Sequence, residues 1–276
     1  MGVTLARLEI AHLLVLKGWR LERSGILDLR AYRAHFLMLD SRCRVGQVDR
    51  IDRFHAWDLE CDPALLTTPG VHVVGSPRRA RPGWAGYNVP ITSISTPQGG
   101  VISVSPSLVE KVRKELAPID WTAPLGEPEL ERLRPLARRI VPYAFCLNGQ
   151  VLYCDADSFR PVPGAAELLQ RDDPTGRELY ARFDGEIFVV RGLRNRIASW
   201  AALKLKSDDV WEIAVVTEAP YRGQGYAKQV VSAATQSILE SGRMALYVHD
   251  RTNIASSRVC RGLGYIEYAD QFFCEY

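Results

Sequence analysis

The sequence is poor in the residues that mark metal, redox and disulfide-stabilised proteins. Its 276 residues include six cysteines and five histidines. No two cysteines form a CxxC pair, and none has the spacing to histidine that zinc sites use. Scattered cysteines in a chain of this length are typical of a reducing compartment, where buried thiols pack as small hydrophobic groups. The sequence therefore predicts neither a metal site nor a disulfide framework.

Long apolar runs are also missing. No stretch approaches the ~18 uninterrupted apolar residues that a transmembrane helix needs. The apolar segment 10–19 is interrupted by His12 and Lys17, and it has neither the charged start nor the cleavage site of a signal peptide. With 47% hydrophobic and 24% charged residues, the composition is ordinary for a globular protein. We therefore expect a cytoplasmic protein without a membrane partner.

Positively charged residues are in small excess over negatively charged ones, and the formal net charge is +3. This excess is too small to indicate a polyanion partner. The densest basic stretch, SPRRARPGW at 76–84, is rich in proline and glycine and therefore predicts a loop. A solvated loop is the commoner explanation of such a cluster, so we expect no nucleic acid partner. The alternative is a nucleic-acid contact made by Arg78, Arg79, Arg81 and Trp84.

The first 140 residues give mixed signals. Helical spacing is present at 4–17 and 127–140, and residues 70–105 resemble strands and turns. The segment 105–116 predicts a helix capped by Ser107. These elements favour a smaller accessory α/β domain at the amino terminus.

From about residue 142 the pattern is sharper. Residues 144–154 predict a hairpin around Asn148-Gly149. The segments that follow predict three antiparallel strands, a helix, a strand, a second helix and a closing strand. Their ranges are 186–192, 197–206, 210–217, 227–241, 244–248, 253–264 and 265 onward.

This order predicts an α/β (α+β) fold with a mixed, mostly antiparallel sheet flanked by helices. The helix at 227–241 would join two parallel strands as a crossover. We predict an accessory domain over residues 1–135 and a main domain over residues 136–276.

A glycine-rich stretch, YRGQGYA at 221–227, separates the third strand from this helix. A dinucleotide fingerprint needs GxGxxG, but Lys228 stands at the third glycine position. The phosphate motif GxxxxGK[ST] is absent from the sequence. What remains is a shorter cradle, in which Gly223 and Gly225 let a pyrophosphate approach the amides of a helix N-terminus. Arg222 and Lys228 add positive charge.

This loop resembles a known signature. Residues 222–227, Arg-Gly-Gln-Gly-Tyr-Ala, match R/Q-x-x-G-x-G/A, the acyl-CoA signature of the GNAT (GCN5-related) N-acetyltransferases. The segment from Asn253 to Leu263-Gly264-Tyr265 is similar to that family's Asn-x-x-(Ala/Ser)…Leu-Gly-Phe/Tyr segment. The resemblance covers 165–276 and implies the GNAT fold with acetyl-CoA as co-substrate. The alternative is a glycine turn that merely starts a helix.

The resemblance also implies where acetyl-CoA binds. In this family the pantetheine arm pairs like a strand with the end of the strand before the loop, here Val215, Val216 and Thr217. The pyrophosphate would be held by amides of the loop, with Gly223 shaping the turn. The amides are those of Gln224, Gly225, Tyr226 and Ala227. Asn253 either reaches the CoA arm or only caps the helix that follows it.

Acyl transfer to an amine needs a proton acceptor for the amine and a proton donor for the thiolate. Alternation along 210–217 places Glu212 on the same face as Ala214 and Val216. Partial burial there predicts a raised pKa for Glu212, which suits a general base. The family often uses a glutamate on this strand. The alternative is a carboxylate that solvates the sheet edge.

The proton donor departs from the family pattern. Many members have a tyrosine seven residues after this asparagine, where this sequence has Cys260. A thiol with a pKa of ~8.5 can still donate a proton, or it can pack in the core. Tyr247, Tyr265 or a water molecule are alternative donors.

Together these features predict an acyl-CoA-dependent N-acyltransferase. It would move an acetyl group from acetyl-CoA to a primary amine of a small molecule or peptide, and the first domain would wall one side of the acceptor cleft. The alternative is a non-catalytic CoA-binding or regulatory module of the same fold.

Overall fold

The computed structural model describes residues 50–82, 86–123 and 125–276. The helix predicted at 4–17 lies outside the described residues, as does Trp84. Within the described residues, the strands form one ten-stranded sheet. They are β1 (Gly70–Gly75), β2 (Ile91–Ser95), β3 (Gly99–Val104), β4 (Phe145–Cys154), β5 (Glu167–Leu168), β6 (Ile187–Arg191), β7 (Ile197–Lys204), β8 (Val210–Thr217), β9 (Met244–Asp250) and β10 (Ile266–Glu275).

Helices cover both faces of this sheet. The described part of the first helix, α1, spans residues 50–59. The others are α2 (Val109–Glu115), α3 (Glu127–Glu131), α4 (Leu133–Ile140), α5 (Arg177–Tyr180), α6 (Tyr226–Glu240) and α7 (Ile254–Arg261).

The sheet is mixed and mostly antiparallel, in the order β1-β3-β2-β10-β4-β9-β8-β7-β6-β5. Only the pairs β1–β3 and β8–β9 are parallel among the strands described. The three strands predicted between 186 and 217 form the antiparallel run β6–β7–β8, and α6 provides the crossover from β8 to β9. The predicted fold class is therefore confirmed.

Two long strands at the centre of the sheet, β10 and β4, lie between the early strands β1–β3 and the strands β5–β9. β4 pairs with both β9 and β10, and β10 pairs with both β4 and β2. Residue 135, the predicted domain boundary, falls within α4. Strands from before and after this residue share one sheet, and the division at residue 135 stays a prediction.

The hairpin predicted around Asn148-Gly149 is wrong, because both residues lie within the continuous strand β4. A two-residue Asn-Gly turn needs positive φ angles, and neither residue has one. Gly149 is instead opposite Asp250 on one side and Gln271 on the other. A Cβ atom at Gly149 would lie 2.5 Å from the carbonyl oxygen of His249. The glycine therefore permits a close approach of strands.

We expect Gly149→Val to destabilise the protein by about 2 kcal/mol or more. The new side chain would force β9 away from β4 in the centre of the sheet, which is an overpacking defect of ~1–3 kcal/mol. Gly164→Val provides the comparison, because Gly164 is exposed, lies outside the left-handed φ region, and a Cβ there meets only the movable side chain of Gln229. Urea unfolding of both variants measures the difference. Equal stabilities would contradict the close-approach explanation.

The cap predicted at Ser107 is also wrong. Pro106–Leu108 form a short 3-10 turn, and α2 begins after it with no side-chain hydrogen bond at its cap. The turn forms because Leu108 N–H donates to the carbonyl oxygen of Ser105 at 2.8 Å. Ser107 lies inside this turn and not at the helix end.

Two apolar layers position the strands that matter for function. On one face, α6 buries Val230, Val231, Ala234 and Ile238 against β7–β9. On the other, α1 buries Ile51 and Leu59 against Val210, Met244 and Leu246. Each fully buried aliphatic side chain contributes about 1.5–3 kcal/mol. Both faces of β8 and β9 are thereby fixed at the ends where these strands pair.

Candidate functional site

The strands β8 and β9 pair only at their beginnings. Their register runs from Val210↔Met244 to Glu212↔Leu246 and continues no further. At that end, Met244 N–H donates to the carbonyl oxygen of Asp209. The remaining residues of β8 face a gap between the two strands.

The N–H and C=O groups of successive residues along β8 point alternately toward β7 and toward β9. This alternation determines which residues direct their backbone groups into the gap. Glu218 N–H donates to Ala198 on the β7 side, whereas Asp209 accepts on the β9 side. The backbone groups of Val215 and Thr217 therefore point to the gap, and those of Val216 point to β7. Of the three predicted pantetheine contacts, Val216 offers only its side chain, which is 41% exposed.

The glycine loop ends at the N-terminus of α6. Gly223 and Gly225 both have φ +78, and a Cβ atom at either would meet nothing within 4 Å. Gly225 is the N-cap residue of α6. The first N–H groups of a helix have no partner within it, so the amides that follow Gly225 are donors at the positive end of the helix dipole.

Side chains of the loop hold it against the end of β8. Arg222 Nε donates to the carbonyl oxygen of Thr217 at 3.2 Å. Gln224 Nε2 donates to the carbonyl oxygen of Pro220 at 3.3 Å. The rings of Tyr221 and Tyr226 lie 6.3 Å apart. The predicted loop residues are thus brought together at one end of the β8–β9 gap.

Asn253 serves as a helix cap. Its Oδ1 atom accepts a hydrogen bond from Ser256 N–H at 3.1 Å at the start of α7. This confirms one of the two interpretations left open by the sequence. Contact of Asn253 with the CoA arm stays a prediction.

Glu212 lies on the α1 face of β8 between two lysines. Its Oε1 atom is 2.6 Å from Lys204 Nζ, and its Oε2 atom is 3.4 Å from Lys206 Nζ. The carboxylate side chain is only 13% exposed. Burial alone raises the pKa of Glu212, but the charges of Lys206 and Lys204 outweigh it and lower the pKa to about 2.

The rise in the pKa of Glu212 expected from burial is therefore wrong. The sequence nevertheless contains a signal that places a lysine beside Glu212. The short connection between β7 and β8 sets a hairpin register that places Lys204 directly opposite Glu212. Opposite charges on facing positions of neighbouring strands attract each other.

Cys260 is fully buried in the core between α6, α7 and the sheet. Its Sγ atom donates to the carbonyl oxygen of Ser257 at 3.3 Å, and burial raises the pKa of the thiol to about 11. Burial also raises the pKa of the alternative donors: Tyr247, whose hydroxyl is 2.9 Å from Ser256 Oγ, and Tyr265, whose hydroxyl is 2.7 Å from Thr235 Oγ1. A proton-donating role for Cys260 stays a prediction.

A cleft of about 1160 Å³ opens on the α1 face of the sheet. It contains Glu212, Val215 and Val216 among the predicted site residues. The helix α1 contributes side chains to this cleft, and the role of the amino-terminal part as a wall of an acceptor cleft stays a prediction. Lining residues that sequence reasoning missed include Phe54, His55, Trp57, Asp58, Trp200, Lys204, Lys206 and Glu275.

The basic stretch at 76–84 is largely engaged within the protein. Arg79 is buried, donates to Ser103 Oγ at 3.2 Å and pairs with Asp58 at 3.1 Å. Arg78 lies 4.1 Å over the ring of Trp57 and pairs with Glu60 at 3.6 Å. These contacts leave Arg81 as an exposed cation of the described part of this stretch.

The described residues contain neither a candidate membrane span nor a candidate metal cluster. In that part of the chain, no helix has the length and apolar character required to cross a bilayer. The same residues contain no group of three or more His, Cys, Asp or Glu side chains arranged to hold a metal ion.

Three solved structures share local similarity with this chain. A GNAT-family acetyltransferase structure from Novosphingobium aromaticivorans is 17% identical with a TM-score of 0.40, covering 48% of this chain and 65% of that one. A GCN5-related N-acetyltransferase from Kribbella flavida is 20% identical (TM-score 0.39; 51% and 63% covered). A GCN5-related N-acetyltransferase-like protein from Streptococcus suis is 16% identical (TM-score 0.42; 54% and 69%). The matches thus span slightly less than two thirds of the first two proteins.

No curated protein gives a significant sequence match. The family model described as FR47-like protein matches residues 189–274. This segment runs from β6 to β10 and contains the β8–β9 gap, the glycine loop and the Asn253 cap. The resemblance drawn from the loop is therefore confirmed over residues 189–274, which match this GNAT-related family model.

Proposed function

We propose that this protein is an acyl-CoA-dependent N-acyltransferase that moves an acetyl group from acetyl-CoA to a primary amine of a small molecule or peptide. One observation carries the proposal most directly. The gap between β8 and β9 leads to a loop with two positive-φ glycines at the N-terminus of α6. Backbone groups at the end of β8 are therefore available for strand-like pairing, and the unpaired amides at the start of α6 follow them directly along the chain.

The residues present fit the parts of acetyl-CoA. Amides that follow Gly225 would bind the pyrophosphate, and Arg222 would add positive charge. The backbone groups of Val215 and the N–H of Thr217 would pair with the pantetheine arm, while the Thr217 carbonyl oxygen accepts from Arg222 Nε. When bound, acetyl-CoA supplies an activated acyl thioester.

The acceptor amine would enter through the cleft on the α1 face. Val215 packs against the core beneath α6 and also lines the cleft, so the gap beside it would connect the two faces of the sheet. An acyl group held in the gap is then accessible from the cleft.

Glu212 is placed to orient the amine. A carboxylate with a pKa of about 2 stays ionised at neutral pH and accepts a hydrogen bond from an N–H group, but it holds a proton poorly. We therefore assign Glu212 the binding of the amine and not the removal of its proton.

The proposal is tested by thermal unfolding with acetyl-CoA, with ATP and NAD as controls. A ligand at about 100 times its dissociation constant stabilises a protein by ~2.7 kcal/mol, so we expect a clear rise in Tm with acetyl-CoA alone. No rise, or an equal rise with ATP, would overturn the assignment of the loop to CoA.

A non-catalytic CoA-binding module is the second candidate. The buried thiol of Cys260 and the low pKa of Glu212 favour it, because neither group exchanges a proton readily near neutral pH. A rise in Tm with acetyl-CoA, together with no release of CoA thiol from any primary amine mixture, would support the module. Release of thiol that depends on an amine would support the enzyme.

A further inference from the structure

His55 lines the cleft from α1, although its side chain is only 3% exposed. Its imidazole stacks on the ring of Tyr268, with centroids 5.2 Å apart and planes 8° apart. Phe54 contacts it edge-on at 4.9 Å. Aromatic packing therefore fixes the plane of the imidazole ring.

The Nε2 atom of His55 is buried and has no hydrogen-bond partner within the described part of the chain. Leaving a buried polar atom unpaired costs about 1–3 kcal/mol. A phenyl ring would satisfy the same stacking without this cost. Because His55 lines the cleft, a ligand that enters the cleft is the candidate for the missing partner of this buried nitrogen.

We propose that His55 Nε2 receives the hydrogen bond, and then the proton, of the acceptor amine. This inference rests on the proposed acyl transfer. As the amine nitrogen bonds to the carbonyl carbon of the thioester, the carbon–sulfur bond breaks and sulfur leaves as thiolate. The proton that the nitrogen loses passes to Nε2, so the imidazole becomes an imidazolium ion.

The charges around His55 suit this exchange. Burial lowers the pKa of His55 to about 4, while Asp58 on its own helix and Glu212 on β8 raise it. The imidazole is therefore neutral at pH 7, and it is a stronger base than the Glu212 carboxylate, whose pKa is about 2. The two carboxylates stabilise the imidazolium once it forms. Tyr268, which stacks on the ring, is itself a titratable group, and Lys204, Lys206 and Glu275 are among the charged residues that line the same cleft.

The first test reads the tautomer of His55 by nitrogen NMR at pH 7, without any ligand. We expect a bare Nε2 and a protonated Nδ1. His249 is the internal reference, because its Nδ1 lies 2.9 Å from the carbonyl oxygen of Asp250 and must donate. His55→Gln assigns the signal by removing it. A proton on Nε2 would overturn the proposal, since that nitrogen would then be a donor.

The second test follows release of CoA thiol with a panel of aliphatic and arylalkyl primary amines. We expect His55→Gln to lower kcat by about 100-fold or more, the scale of general base catalysis, with a smaller change in KM because the amide oxygen still accepts a hydrogen bond. His249→Gln controls for the loss of a buried imidazole, as His249 is 4% exposed. An unchanged kcat in His55→Gln would overturn the proposal.

The two tests separate this inference from the function on which it rests. If acetyl-CoA fails to raise the Tm of the unmodified protein, the proposed function fails. If acetyl-CoA raises the Tm of the unmodified protein and of His55→Gln equally, the CoA site is intact and the kcat comparison judges His55 alone. If no amine in the panel reacts, the tautomer of His55 measured by NMR is the remaining test, and a proton on Nε2 would overturn the proposal.

Discussion

Gly225→Val is expected to weaken acetyl-CoA binding by at least 100-fold, or about 2.7 kcal/mol, while the protein stays folded. Gly225 has φ +78 and open space beyond its Cα atom. A branched side chain would fill that space, which the proposal gives to the pyrophosphate. The left-handed conformation would also cost a valine roughly 1–2 kcal/mol, so the first turn of α6 would rearrange. Isothermal titration calorimetry measures the affinity.

Gly242 is the matched control for this variant. It follows the other end of α6, has the same φ of +78 and likewise meets nothing within 4 Å of a Cβ atom. Gly242→Val should therefore lose similar stability and keep its affinity for acetyl-CoA. Equal affinities of the two variants would show that the position of the glycine does not matter, and the assignment of the loop would fail.

The glycine loop could be predicted from the sequence because its physics is local. Two glycines before an amphipathic helix specify positive φ angles and unpaired amides without reference to any other part of the chain. The antiparallel run β6–β8 was predictable for the same reason, since short connections join neighbouring strands.

The errors arise where distant strands decide the outcome. Asn148-Gly149 has the sequence of a tight turn, but β9 and β10 pair on both sides of it and draw it into a central strand. Local propensity is overridden because a ten-residue strand paired on both edges gains more hydrogen bonds and buried surface than a hairpin would.

The constitution of the cleft could be predicted only in part. The pairing of Lys204 with Glu212 follows from the length of one connection and was available to sequence reasoning. His55 was not, because the contact that fixes it is with Tyr268, more than 200 residues away in the chain. A lone histidine in a helical segment has no local signal that places it in a cleft.

Glu212→Gln is expected to lose about 3 kcal/mol of stability at pH 7. The substitution leaves the charges of Lys204 and Lys206, which are 23% and 27% exposed, without their carboxylate. Breaking a buried pair typically costs ~3–5 kcal/mol, and this partial exposure places the loss at the lower end of that range. Glu267→Gln is the control, because Glu267 is 44% exposed and pairs with Arg261 at 2.7 Å. Such a surface pair is worth about 0–1 kcal/mol. Urea unfolding compares the two, and similar losses would contradict the role given to burial.

The pH dependence of stability identifies the carboxylate itself. Burial raises the pKa of Glu212 but the two lysines lower it from the ordinary 4.5 to about 2. A lowered pKa in the folded state stabilises the protein above pH 4.5, and this contribution is lost as the pH falls from 4.5 toward 2. Glu212→Gln should therefore show a flatter decline in stability across that window than the unmodified protein.

Because Glu212 is ionised throughout the neutral range, the variant should lower turnover without changing the shape of the pH–activity curve between pH 6 and 9. A change of shape in that range would return Glu212 to the role of the proton acceptor and remove the need for His55.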